Sequence, residues 1–519
     1  MQDESTLREV AKDCVHCGFC LPACPTYQLW AEEMDSPRGR IYLVSQILDG
    51  AELSAAAAEH FDRCLGCMAC MTACPSGVQY DRLIEAARAW TDDPAHAPAA
   101  DTGTGTADIH EVAGVDGPGE ASGGHATADV TGGAPAGGAQ AGGPSAGGAP
   151  AGGAPACGAA ACGAAARGAA ARGIPVGGGR HRPWQDRAAR AAIFAVFPYP
   201  RRLRALAAPL RVLQRTGLDR VVARSGLPGR VSPVLGAAMN LAPRPSASVP
   251  AGRLPERVPA RGTRRAVVGM LTGCVQSVFF AEVNIATARV LAAEGCDVVI
   301  PRGQACCGAL SLHSGRAGEA AGFARHAVET FEQTGVEAIV VNSAGCGSAM
   351  KEYADLLADD PAWAARAAAV SAKVRDFAEF LAGLFENSGG PVAARHPLPV
   401  RAAYHDACHL GHAQQITASP RALLGSIPGL ELTEIPDAGM CCGSAGVYNL
   451  LQPEAARELG QRKAASVHQT GAPLLISANP GCSLQIASAL EARGEAIAIA
   501  HTAEILDASI RGLPAPGSA

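Results

Sequence analysis

The sequence predicts an α+β multidomain chain: a small helical N-terminal unit, a low-complexity linker, and two copies of an α/β cysteine-rich lobe. Three observations predict it. A cysteine run, C-x2-C-x2-C-x3-C-P, occurs twice before residue 76. Gly, Ala, Pro, Ser and Thr dominate residues 91–180. From residue 266 onward, strand-like apolar runs alternate with helical periodicity, and one cysteine pattern recurs at a near-constant offset. A length of 519 residues is enough for several such units.

Residues 1–90 form the first unit. Its two runs are Cys14-Val-His-Cys17-Gly-Phe-Cys20-Leu-Pro-Ala-Cys24-Pro25 and Cys64-Leu-Gly-Cys67-Met-Ala-Cys70-Met-Thr-Ala-Cys74-Pro75. This is the spacing by which bacterial-type ferredoxins hold a [4Fe–4S] cluster. Three cysteines in a tight turn cover three irons of one cube. The fourth points away and ligates the other cube, and the proline closes the loop. On that rule Cys14, Cys17, Cys20 and Cys74 hold one cube, and Cys64, Cys67, Cys70 and Cys24 hold the other. One tetrahedral zinc needs fewer ligands than this. Disulfides belong to oxidising compartments and to small secreted chains. Between the runs, Ile41, Val44, Ile47 and Leu48 share one helical face. After Cys74, residues 78–90 read as a helix with Leu83, Ile84 and Ala87 as its core stripe. The unit therefore reads as a two-cluster helical ferredoxin domain enlarged by a helical insert.

Composition narrows the class. A net charge of −5 implies no nucleic-acid partner. Nineteen cysteines in metal-type clusters of a long chain point to a reducing cytosol. The acidic start, Met1-Gln-Asp-Glu-Ser, lacks the apolar core of a secretory signal. No run approaches the ~20 apolar residues of a membrane span. The expected location is cytoplasmic, with peripheral attachment to the inner face of the cytoplasmic membrane as the variant.

Residues 91–180 cannot bury enough apolar surface to offset the entropy of ordering, so they read as a disordered linker. Cys157 and Cys162 lie within it without a third partner nearby. Residues 181–265 are Arg-rich, with Asp186, Asp219 and Glu256 as the acids. Ile193-Phe-Ala-Val-Phe197, Leu203, Leu206 and Leu210 give patchy amphipathicity. A helical connector packed on the next domain is the favoured reading, and a basic surface for an anionic membrane or acidic partner is the rival.

The two lobes span 266–390 and 391–512. Strands are predicted at 266–271, 297–300, 337–341, 400–404 and 473–478, and helices at 281–294 and 320–334, with Gly295 just past a helix end. Alternation of this kind implies a mostly parallel sheet. The first lobe carries Cys274-x31-Cys306-Cys307-Gly308-x37-Cys346, and the second Cys408-x32-Cys441-Cys442-Gly443-x38-Cys482. Corresponding cysteines lie 134, 135 and 136 residues apart, which argues for duplication. Cys274, Cys346, Cys408 and Cys482 follow strand carboxyl ends, where open α/β sheets bind ligands. Gly308 and Gly443 would let backbone approach a bulky ligand. All eight of these cysteines are candidate ligands of a second metal site. His405 and His409 flank Cys408 and are placed to ligate or to shuttle protons, although a supporting role is the commoner one for such histidines.

With both constellations placed, the chain resembles the iron–sulfur subunit of bacterial glycolate oxidase (glycolate dehydrogenase). The residues that carry the resemblance include Cys24-Pro-Thr-Tyr-Gln-Leu29, Ser36-Pro-Arg-Gly-Arg-Ile-Tyr-Leu43, Asp62-Arg-Cys-Leu, Cys74-Pro-Ser-Gly-Val78, Ala286-Thr-Ala-Arg-Val-Leu291, Cys306-Cys-Gly-Ala309, Lys351-Glu-Tyr353 and Met440-Cys-Cys-Gly-Ser-Ala-Gly446. The resemblance implies two [4Fe–4S] clusters, with a further iron–sulfur cluster in the Cys-Cys-Gly lobes as an open expectation. It implies an FAD-binding flavoprotein partner that oxidises glycolate to glyoxylate, and a membrane quinone as acceptor. In that reading this chain is one subunit of an oxidoreductase, inactive alone, and has no catalytic residue of its own. Two departures stand out: the long Gly/Ala insert, and Ser343 and Asn479 where the wider Cys-Cys-Gly family often has the first cysteine of a C-x-x-C. The latter argues against a five-cysteine cluster in each lobe.

No strand-borne dinucleotide fingerprint occurs, so no flavin is expected on this chain. Other readings share the parts: a thiol/disulfide catalyst of the heterodisulfide-reductase kind, an iron–sulfur subunit of a lactate or glycerol-3-phosphate dehydrogenase, or a structural-metal scaffold.

Overall fold

The computed structural model describes residues 4–93, 184–243 and 254–517. Nearly all of the expected linker, with Cys157 and Cys162, lies outside the described residues.

Short helices build the N-terminal unit: Glu4–Lys12, Pro25–Trp30, Pro37–Leu48, Ala55–Arg63, Ala69–Ala73 and Tyr80–Asp92. Local signals start them. Ser36 Oγ accepts from Gly39 N with Pro37 in the first turn, and Ser54 Oγ accepts from Ala57 N. The predicted stripes are buried: Ile41, Val44 and Leu48 meet Leu7, Val10, Phe61, Leu83, Ile84 and Ala87 in one core. The last helix starts at Tyr80 rather than Val78 and runs on to Asp92.

A buried ion cluster ties this unit together. Asp35 is fully buried. Its Oδ1 lies 3.2 Å from Arg40 Nη2 and 2.9 Å from His60 Nδ1, and its Oδ2 lies 3.0 Å from Arg63 Nη1. Arg40, also buried, donates further to the Asp35 and His60 carbonyls and to Thr26 Oγ1. Gly39 lets this turn close, since a Cβ there would stand 2.0 Å from the Glu33 carbonyl oxygen.

The connector is helical, as expected: Trp184–Val196, Pro200–Thr216, Leu218–Arg224, Leu227–Val231 and Pro233–Asn240. Ile193 and Phe194 pack on Val447 and Leu450 of the second lobe, and Leu203 and Ala207 pack on Val278 of the first. Leu206, counted in the apolar stripe, is exposed.

The lobes hold nine strands: β1 Arg257–Val258, β2 Ala266–Met270, β3 Cys296–Val299, β4 Ala338–Val341, β5 Val374–Asp376, β6 Val400–His405, β7 Leu430–Glu434, β8 Leu474–Ser477 and β9 Ala498–Ala500. The first sheet has the order β1-β3-β2-β4-β5 and the second β7-β6-β8-β9. Apart from antiparallel β1 on β3, every pairing is parallel. In each sheet the lobe's second strand lies beside its first, followed by the third and fourth, so the duplication seen in the cysteines is a duplication of topology. β1 falls in the range read as connector and adds an edge that the second sheet lacks.

One core joins the lobes. Val268, Met270, Val298 and Val340 of the first sheet share it with Ala402, Tyr404, Leu474 and Ile476 of the second, and the helices Ala281–Ala293 and Thr502–Arg511 pack within it.

The ion cluster makes a prediction. Asp35→Ala leaves the Arg40 charge buried without its carboxylate and is expected to cost roughly 3–5 kcal/mol. Arg63→Ala, which removes a part-exposed partner, is expected to cost about 1 kcal/mol or less. Denaturant midpoints of the anaerobically purified chain check the contrast.

Candidate functional site

Chain topology sets out two groups of ferredoxin cysteines. Cys14, Cys17, Cys20, Cys70 and Cys74 line one cavity together with Pro37, Arg38, Ile41 and Tyr80. Cys17 is exposed, and Cys14, Cys20 and Cys74 are partly so. Cys24, Cys64, Cys67 and Cys70 are buried. Burial opposes charge on the Cys67 and Cys70 thiols and raises both well above their ordinary range, and each feels the charge of Cys24 and Cys64. Cys74 of the second run shares a cavity with Cys14, Cys17 and Cys20 of the first, and Cys24 of the first run lies close enough to Cys67 and Cys70 of the second to oppose charge on them. All seventeen cysteines among the described residues are free thiols.

The buried group has built-in counter-charge. Burial would push the Cys64 thiol up, but the Arg40 and Arg88 guanidiniums, the Tyr80 hydroxyl and the Gly66 N–H pull it below its usual value. Tyr80 Oη donates to Cys64 Sγ at 3.5 Å and Gly66 N at 3.3 Å. Arg88 donates to the carbonyls of Cys64 and of His313, so it also links this unit to the first lobe. Sequence reasoning missed both arginines. Arg40 had a signal, since it sits in the Ser36–Leu43 string. Arg88 had none beyond its place beside Ala87 on the buried helical face.

In the lobes, every candidate cysteine lies beyond a strand's carboxyl end. Cys274 and Cys408 follow β2 and β6, and the Cys-Cys-Gly loops follow β3 and β7. Cys346 and Cys482 open the helices Ala344–Lys351 and Pro480–Ala492 after β4 and β8. The four first-lobe cysteines form one chain of contacts: Cys274 Sγ lies 3.5 Å from Cys306 Sγ, and Cys307 is within hydrogen-bonding reach of Cys306 and Cys346. Cys408, Cys441, Cys442 and Cys482 repeat the chain in the second lobe. Gly308 N and Gly443 N donate to Cys306 Sγ and Cys441 Sγ, each at 3.4 Å. Four converging sulfurs with backbone donors aimed at them fit an iron–sulfur or zinc donor set.

The two glycines serve a purpose that was not foreseen. Both have left-handed φ, +85° and +87°. A Cβ on Gly443 would stand 2.6 Å from the Ala456 carbonyl oxygen, and one on Gly308 would stand 3.2 Å from that of Ala320. They make room for the following helix.

Ser343 and Asn479, where a cysteine was missing, meet each other: Ser343 Oγ lies 3.4 Å from Asn479 Oδ1 across the lobe boundary. The two histidines part company. His409 stacks on His313, with ring centroids 4.7 Å apart, and His313 Nδ1 lies 3.0 Å from Glu85 Oε1 of the N-terminal unit. His405 is fully buried, and burial pushes its pKa down to about 3, so its imidazole is neutral.

The two constellations touch. Cys67 shares a dry cluster with Cys408, Cys441, Leu65, Tyr448 and Leu459. Cys408 lies close enough to Cys67 to oppose charge on its thiol. One buried stretch thus carries cysteines of both kinds.

Comparison with known proteins agrees with this architecture. A 4Fe-4S dicluster domain model matches residues 10–78, a glycolate oxidase iron-sulfur subunit linker-region model matches 185–242, and a cysteine-rich domain model matches 268–351 and 402–487. The chain is 31% identical to the probable glycolate oxidase iron-sulfur subunit of Bacillus subtilis, over 95% of this chain and 93% of the relative. It is 31% identical to the glycolate oxidase iron-sulfur subunit of Escherichia coli, over 92% and 90%. Lactate utilization protein A of Exiguobacterium is 34% identical over 47% of this chain and 98% of its own length.

The counter-charge makes a prediction. Arg88→Gln removes a cation beside Cys64 and is expected to shift the buried cluster's potential to more negative values by on the order of 50 mV. A redox titration followed by electron paramagnetic resonance measures it, and an unshifted potential would mean that Arg88 only ties the units together.

Proposed function

Because this chain belongs to the glycolate oxidase iron–sulfur subunit family, we propose that it takes electrons from a flavoprotein subunit that oxidises glycolate to glyoxylate and delivers them towards a membrane quinone. The family assignment makes it an iron–sulfur electron-transfer subunit. The substrate, the flavoprotein and the quinone are the parts proposed. In this reading the hydroxy acid is met on the partner, and this chain does not turn it over alone.

The observation that carries the reading is the gradient of burial along the cysteines. Cys17 is open to solvent, with Val15 and Phe19 exposed beside it, as a docking edge for a partner requires. Cys67 is buried against Cys408 and Cys441. In the proposed ligation Cys14, Cys17, Cys20 and Cys74 hold one cube, and Cys24, Cys64, Cys67 and Cys70 hold the other. The clusters supply one-electron carriers, which suits the splitting of a two-electron oxidation at a flavin. The residues keep water out, offset charge through Arg40 and Arg88, and hold the two groups in fixed relation. Residues 1–90 form the carrier domain, and 266–390 and 391–512 form the inner lobes.

The membrane-side end has its own support. No helix among the described residues is long and apolar enough to cross a membrane. The connector instead exposes Val212, Leu218, Val221 and Val231, and the helix Pro200–Thr216 also exposes Arg201, Arg202 and Arg204, a combination suited to peripheral contact with an anionic surface.

Crossed ligation gives one test. Cys24→Ser and Cys64→Ser are expected to lose the same paramagnetic signal, and Cys14→Ser and Cys74→Ser the other. The ferredoxin iron should fall from about eight to about four per chain in each case. The functional test is anaerobic reduction of the full chain by the co-purified flavoprotein, with glycolate and then lactate supplied. If no flavoprotein co-purifies at low salt and neither acid bleaches the clusters, the reading fails.

A further inference from the structure

The two lobes are built alike, yet their cysteine sites differ beside the leading cysteine. Three positions before the leading cysteine, the first lobe has Leu271 and the second has His405. Leu271 is part of the first lobe's apolar core. His405 is the last residue of β6, paired in register with Ser477 of β8, and so stands at the strand edge from which Cys482 is presented. One His405 ring nitrogen and the sulfurs of Cys442 and Cys482 lie within 4.8 Å of one another, and all three residues are buried.

A second observation points the same way. Both His405 nitrogens lack a hydrogen-bond partner although the residue is completely buried. A neutral imidazole has one donor and one acceptor, and leaving either unmet in the interior is costly. A metal ion between the three side chains would take the imidazole lone pair together with the two sulfurs, which meets a need that the protein's own hydrogen bonds leave open. Around one tetrahedral ion, bond lengths of about 2.0–2.3 Å put neighbouring ligand atoms roughly 3.5–3.8 Å apart, a separation these side chains can take up.

We propose that the second lobe holds a soft first-row transition metal, as zinc or as an iron of a cluster, bound through the His405 imidazole together with Cys442 and Cys482. Cys441 and Cys408, next along the contact chain, offer the remaining sulfur. The nitrogen restores the ligand number that Asn479 leaves short, while the Asn479 amide donates to Cys482 Sγ at 3.3 Å and steadies it. The surroundings agree. Lys463 is buried, donates to the Asp437 and Ala438 carbonyls, and places a cation that acts on both Cys408 and His405. In the register that matches Ala320 with Ala456, the first lobe has Ala327 there. The first lobe thus has Leu271 and Ala327 where the second places a nitrogen and a cation beside its sulfurs.

The proposal rests on the lobes being metal sites, not on the electron relay, and the test separates the two. The full chain is purified anaerobically with and without 15N-histidine and examined by metal analysis, X-ray absorption at the iron and zinc edges, and pulsed paramagnetic resonance. The expected result is metal beyond the about eight irons of the ferredoxin pair, with one imidazole nitrogen in its coordination shell. Metal analysis tells zinc from iron, and either agrees. His405→Ala should lose this metal and keep the ferredoxin signals. His405→Cys should keep the metal and lose the nitrogen, which decides the matter even if the alanine variant does not fold. Absence of metal beyond the ferredoxin irons in the folded chain would overturn the proposal. So would full retention of the metal in His405→Ala, or a nitrogen signal that survives His405→Cys. Loss of the ferredoxin signals themselves would count against the relay instead.

Discussion

The structure depends on burying negative charge. Cluster ligands are thiolates, and a thiolate in an apolar interior is expensive unless cations and N–H donors face it. Cys64 is where this is answered most fully: two guanidiniums, a phenol and a backbone amide converge on it. The demand spreads outward. Arg40 is usable only because Asp35 holds it, and Asp35 is reachable only because Gly39 lets the Glu33 turn lie against the helix that carries Arg40. Arg88 answers the same demand from another helix and, by its second bond, fastens the N-terminal unit to the first lobe.

Duplication supplies the second constraint. Two sheets with one strand order present their cysteines at matching edges, yet they share a single core through Met270, Tyr404 and the helices at 281–293 and 502–511. A shared core means neither lobe keeps its apolar surface covered without the other. The copies are therefore free to diverge in chemistry while bound to each other in folding, and Leu271 against His405 and Ala327 against Lys463 are where they have diverged.

Much of this was legible in the sequence. Period-2 and period-3.6 patterns marked several strands and helices, and a full ligand motif occurring twice was specific enough to mark a two-cluster iron–sulfur domain. The short strands β1, β5 and β9 escaped because two or three residues carry too little periodicity. β7 is as long as strands that were marked, but it is half-exposed along its length, without an apolar run to mark it. The buried cations were harder still: an Arg or Lys is usually a solvated side chain, and only the fold shows that Arg88 and Lys463 point inward. Leu206 failed in the opposite direction, its helical spacing right and its face turned to water. The helix that Gly308 and Gly443 make room for was not foreseen, since a sequence does not show which helix passes over a loop.

The graded exposure of the ferredoxin cysteines has a consequence for life in air. Oxidative attack on sulfur follows accessibility, and here accessibility is concentrated at Cys17, with Cys14, Cys20 and Cys74 behind it, while Cys24, Cys64, Cys67 and Cys70 are sealed. Dioxygen therefore reaches the outermost group first, and damage begins there. A chain injured in this way keeps its interior intact and, under the proposed entry of electrons at Cys17, is cut off from their source, so it fails by disconnection before it fails by collapse. Repair then needs to rebuild only the solvent-facing site, on a scaffold that is still folded.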